Sequence, residues 1–100
     1  MTTTAPSTET GRFDTPNASK YLQQLCKHFA HKVHATYDDT TGTVVFPMGP
    51  AHLTAQPDAL CVRITADDED GLQRARHVID DHLKRFAFRE DFSGMTWTRA

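Results

Sequence analysis

Two periods of apolar residues divide the chain. Leu22, Leu25, Cys26, Phe29 and Val33 recur at spacings of three and four, while Lys20, Gln24, Lys27 and His31 fall on the other side. This predicts an amphipathic helix that begins at Thr15-Pro16-Asn17, where a hydroxyl precedes a proline at the first helical position, and runs to Lys32. After Lys32 the period shortens to two: Val33, Ala35 and Tyr37 alternate with His34 and Thr36, the pattern of a strand. Asp38 to Gly42 reads as a turn, Thr43 to Phe46 as a second strand stopped by Pro47 and Gly49-Pro50, and His52 to Ala55 as a third. Pro57-Asp58 makes another turn before Ala59 to Ala66, the clearest strand, with Leu60, Val62 and Ile64 on one face.

The helical period returns in Leu72, Ala75, Val78, Ile79, His82, Leu83 and Phe86. The acidic run Asp67 to Asp70 precedes it, where carboxylates cap free N–H groups and complement the helix dipole, and Lys84, Arg85 and Arg89 sit near its other end. Beyond it Phe92, Met95 and Trp97 lie among polar residues, which suits a short C-terminal fifth strand or an extended arm. The expected fold class is α+β: helix, four strands, helix, with an antiparallel four-stranded meander covered on one face by both helices. By alternation His34, Thr36, Val45, His52, Thr54, Cys61 and Arg63 point to the open face, either solvated or a dimer contact. Residues 1–15 hold almost nothing apolar before Phe13 and are expected to form a disordered tail, leaving residues 16–100 as a single domain.

Composition narrows function by exclusion. With 11 basic and 13 acidic residues the formal charge is −2, which gives no field for a nucleic acid or an anionic membrane. No stretch has the length of an apolar span and no basic n-region opens the chain, so a cytoplasmic protein is expected. Its 2 cysteines are too few for a disulfide scaffold, and alternation sets Cys61 on the face opposite Cys26. No nucleotide, zinc-ribbon, triad or nucleic-acid motif is complete, and no Ser or Cys is visibly paired with a base.

Six histidines carry the remaining chemistry. In Cys26-x-His28-x-x-His31-x-x-His34, at about 100° per residue, Cys26 and His28 point roughly 200° apart, whereas His28 and His31 are about 60° apart and can share one metal ion. Cys26 belongs to the apolar stripe, where a thiol acts as a small hydrophobe. His77 falls on the polar side, but His82 lies inside the apolar arc, where a histidine either satisfies itself in the core or faces a ligand. Helices lying side by side would bring Tyr21, His28 and Lys32 towards His82 and Arg85, a set suited to an anion, a haem or an iron complex.

The stretches SKYLQQLCKHFAHK at residues 19–32 and DHLKRFAFRE at 81–90, with Gly42, Phe46 and Gly49 between them, resemble the bacterial family catalogued as domain of unknown function 2218. The resemblance covers roughly residues 16–98, with motif positions on Tyr21, Leu22, Leu25, Cys26, Lys27, His28, His31 and Lys32, then on His82, Leu83, Arg85, Phe86, Arg89 and Glu90. It implies a small stand-alone domain without an established activity, related to domains found beside siderophore-interacting flavin reductases, and so a link to iron handling with the reductase as a separate protein. The expected function is a non-catalytic binding or accessory module for haem, iron or another divalent metal. Its expected site is where His28 and His31 approach His82, Arg85 and Arg89, with Tyr21 and Lys32 alongside. A domain dimerising through the open sheet face, or a metal-dependent enzyme using the His pair with Glu90 as acid or base, are the alternatives.

Overall fold

The computed structural model of the protein describes residues 7–99. In chain order its elements are β1 (Ser7–Asp14), α1 (Ala18–Phe29), β2 (Ala35–Tyr37), β3 (Thr41–Phe46), β4 (Gly49–Ala55), β5 (Ala59–Ala66), α2 (Glu69–Phe86), a single 3-10 turn (Phe88–Glu90) and β6 (Thr96–Arg99). The fold is α+β as expected, but the sheet has six antiparallel strands in the order β2-β3-β4-β5-β1-β6 rather than four. The meander β2 to β5 is present, and the C-terminal strand forms at its far edge, against β1.

The main correction is to the expected tail. Residues 7–14 are a full strand between β5 and β6, while residues 1–6 lie outside the described residues. The inward positions of this strand are Glu9, Gly11 and Phe13, which give no apolar alternation to read. Non-local partners supply what the strand lacks. Buried Glu9 accepts from Arg76 of α2 at 2.7 Å and from Arg99 of β6 at 3.1 Å, so its charge is paired. The Trp97 ring lies over Gly11, where a Cβ would come within 2.7 Å of it, and the indole N–H donates to Asp80 Oδ2 at 3.0 Å.

Both helices lie on one face, as the stripes require: Leu22, Leu25, Cys26, Leu72, Ile79 and Leu83 close one core with Val44, Leu53, Val62 and Ile64 of the sheet. The opposite face carries exposed Thr36, Val45, His52, Thr54 and Arg63, with half-buried Cys61. His34 precedes β2 and is outside the strand in which it was expected. Both cysteines are free, and they sit on opposite sides of the sheet as expected. Among the described residues no helix is long and apolar enough to cross a membrane.

Several boundaries differ from the pattern: β2 starts at Ala35, and β3 starts at Thr41, where pairing with Thr54 and Leu53 takes Thr41 and Gly42 out of the expected turn. α1 starts at Ala18, because the Thr15 hydroxyl accepts from the Asn17 N–H in a turn before the helix. It ends at Phe29, where the N–H groups of Ala30 to Val33 close turns onto Cys26, His28 and Phe29 carbonyls. β4 begins at Gly49, three residues early: Pro47 and Met48 form a two-residue turn, and Pro50 precedes the β4–β5 ladder that opens at Ala51, so its missing N–H interrupts nothing there. Gly49 adopts φ +145°, which a side chain would not tolerate.

Candidate functional site

α1 and α2 run antiparallel, with the start of α1 against the 3-10 turn and its end against the later half of α2. Glu90 fixes the first contact. Its carboxylate accepts from the Thr15 hydroxyl at 2.7 Å, from Asn17 Nδ2 at 3.0 Å and from the Tyr21 phenol. Burial and the Glu90 carboxylate push the Tyr21 phenol up to about 12, and the same Tyr21, Asn17 and Thr15 donors hold Glu90 below the usual carboxylate range. Tyr21 is therefore a buried interhelical brace, stacked on Phe13 at 5.9 Å, with its hydroxyl engaged by Glu90.

At the other end the two histidines meet. His28, near the end of α1, and His82, inside the apolar arc of α2, have ring centroids 4.7 Å apart. Aromatic rings line one side of the half-buried pair: Phe29 lies 4.9 Å from His82 and 5.6 Å from His28, Phe46 of β3 packs on Phe29 at 5.0 Å, and Phe86 is 6.1 Å from His28. His82 Nδ1 is 2.7 Å from the Val78 carbonyl. A carbonyl only accepts, so in the neutral ring Nδ1 carries the proton and Nε2 keeps its lone pair. Burial lowers the pKa of His28, and His82, Lys32, His31 and Arg85 lower it further, which favours the neutral ring. In its neutral form each imidazole of the pair is competent to ligate a metal or haem iron or to accept a hydrogen bond.

The other expected site residues are placed differently. His31 and Lys32 fall in the exposed turn after α1, beyond the helix whose spacing was to align His28 with His31. Arg85 is exposed and pairs with Asp81 at 3.4 Å. Arg89 is exposed on the 3-10 turn, with its guanidinium over the Phe88 ring at 5.6 Å. Among the described residues no group of three or more His, Cys, Asp or Glu gathers to hold a metal. Cys26 is buried in the core, and burial pushes its thiol up to about 11.

Sequence reasoning missed the aromatic walls and the Val78 carbonyl. The signal for the carbonyl was present, since residues i and i+4 on a helix are within reach and Val78 precedes His82 by four. Phe29 belongs to the core stripe and also contacts both histidine rings. A concavity of about 930 Å³ lies farther up α2 between its outer face and Met48, and is lined also by Asp70, Arg74 and His77. Only Val78 is common to it and the histidine contact.

Residues 10–98 match a family described as an uncharacterised protein conserved in bacteria, DUF2218. Among solved structures the chain is similar to the NMR structure of PA4090 from Pseudomonas aeruginosa, with 30% identity, a TM-score of 0.77, and coverage of 92% of this chain and 95% of that one. No curated protein matches the chain.

Proposed function

From the premise that this chain belongs to that bacterial family of uncharacterised proteins, we propose that it is a non-catalytic cytoplasmic binding module whose centre is the His28–His82 pair and whose ligand is iron or another divalent metal, free or as haem. The observation that carries this reading is the 4.7 Å imidazole contact in which Val78 fixes the tautomer of His82 and frees Nε2. Lys32 and Arg85 flank the pair from the turn after α1 and the next turn of α2, where they balance the negative charge of a chelate or of haem propionates. The link to iron handling, with a siderophore-related reductase as a separate partner, comes from the family resemblance, and the histidine pair supports it chemically.

Titration of the purified protein with haemin and with Fe(II), Co(II), Ni(II) and Zn(II), followed by absorbance and thermal shift, tests the reading. Wild type is expected to respond to at least one of them, and His28→Ala and His82→Ala to lose that response. Unchanged spectra and melting temperature for every addition would sink the proposal. The enzyme alternative has less support, since Glu90, its acid or base, already serves three donors. The dimer alternative rests on an open face where Val45, 46% exposed and paired with Pro50, shares the surface with exposed Thr36, His52, Thr54 and Arg63.

A further inference from the structure

We infer that Gln24 supplies the third protein ligand, through Oε1, to a borderline divalent metal ion held by His28 and His82. The inference rests on the binding reading above and adds to it the donor set and the metal class. Among the described residues, Gln24 Oε1 is the buried side-chain oxygen or nitrogen atom left without a hydrogen-bond partner. A buried acceptor left unpaired costs about 1–3 kcal/mol, so its position calls for a partner.

Gln24 stands beside the line of α1 side chains that faces α2, about 40° around the helix from His28 and towards Lys20 and Lys27. Tyr21, Gln24 and His28 follow at three and four residues along α1, and both outer members face α2 and the turn after it: Tyr21 through Glu90, and His28 through His82 and Phe86. Gln24 is between them, one turn from His28. A spacing of four sets side chains about 5–6 Å apart at Cβ, the arrangement by which one helix offers two ligands to one ion. The facing helix completes the set with His82, whose Nδ1–H to carbonyl bond is the usual support of a ligating imidazole. Helix pairs in bundles build metal sites from facing side chains in this way.

Two imidazole nitrogens and one amide oxygen suit Zn(II), Co(II), Ni(II) or Fe(II) more than the all-oxygen ions Mg(II) and Ca(II). With three protein donors, at least one coordination position stays open for water or an external anion, and the positive charges of Lys32 and Arg85 act on His28. The third donor is an amide, so the set is not a cluster of His, Cys, Asp and Glu alone.

The experiment adds Zn(II) and Co(II) to the intact chain, with Gln24→Leu, Gln24→Glu and His28→Ala as variants. In wild type the Gln24 side-chain carbonyl 13C resonance is expected to shift together with the His28 and His82 ring signals as Zn(II) is added. Gln24→Leu is expected to bind Zn(II) at least tenfold more weakly, and Gln24→Glu at least tenfold more tightly, with Co(II) absorption changing in both. The carbonyl measurement needs no substitution and so survives a variant that fails to fold. A Gln24 carbonyl that does not move while both imidazoles do, or a Gln24→Leu variant that binds like wild type while His28→Ala does not, overturns the third ligand and leaves the histidine module standing. Binding of haemin but of neither ion also overturns it, and no response to haemin or any metal overturns both readings.

Discussion

Removing the Glu90 carboxylate should loosen the brace that sets the two helices, and the size of the effect follows from what is left behind. In Glu90→Ala the Thr15 hydroxyl and the Tyr21 phenol, both on residues only 3% exposed, lose their acceptor, while the Asn17 amide is exposed and finds water. With about 1–3 kcal/mol for each buried donor left unmade, the loss should be about 3 kcal/mol. For a domain of this size that lowers Tm by roughly 12–24 °C, at ~4–8 °C per kcal/mol. Tyr21→Phe removes one of the partners and should cost about 1–2 kcal/mol. The double variant should fall short of the sum by more than ~0.5 kcal/mol, since the residues are in contact. Urea denaturation followed by circular dichroism gives these values.

The pH dependence adds an independent check on the same brace. Glu90 has its folded pKa lowered, so its contribution is complete above the ordinary carboxylate value and is lost as pH falls through the folded one. Tyr21 has its folded pKa raised from 10.0 to about 12, so its contribution is complete below 10 and is lost between pH 10 and about 12. Tyr21→Phe should abolish that alkaline loss and leave metal or haem binding at the wild-type level. Additive energies, or an alkaline loss that persists without the phenol, would refute the brace. Ligand affinity that falls in Tyr21→Phe at unchanged stability would return Tyr21 to the binding site.

Gly49→Ala should be among the most damaging single changes on the sheet. The new Cβ would sit 1.9 Å from the Thr65 carbonyl oxygen at φ +145°, so strain of about 1–3 kcal/mol adds to overpacking of about 1–3 kcal/mol, and a midpoint shift below ~1 kcal/mol in urea would contradict it. Thiol labelling of the native protein should modify half-buried Cys61 and spare Cys26, whose thiol is buried and pushed up to about 11; equal rates at pH 8 would place α1 off the sheet. His82→Phe should keep the ring packing against Phe29 and melt within a few degrees of wild type, yet lose the metal or haem response, which separates packing from ligation. Retained binding in that variant would remove His82 from the site.

Much of the architecture is local and therefore written in the chain. The stripe from Leu22 to Phe29, the alternation of Leu60, Val62 and Ile64, and the Asp68 cap that accepts from the Gly71 N–H at 2.8 Å each depend on residues a few positions apart. The same holds for one half of the site: His82 stands in the apolar arc of its helix, and its bond to Val78 spans a single turn. The tertiary structure decided the rest. β1 carries Glu9 and Gly11 where a strand would show apolar residues, and only Arg76, Arg99 and Trp97, brought in from the other end of the chain, make those positions tolerable inside. Which side chain meets His82 depends likewise on the register of two antiparallel helices, and that register is set by Glu90 gripping Thr15, Asn17 and Tyr21 across some seventy residues. Periodicity tells which face of an element is buried, because that follows from its own geometry; it carries no information on which distant partner will bury it.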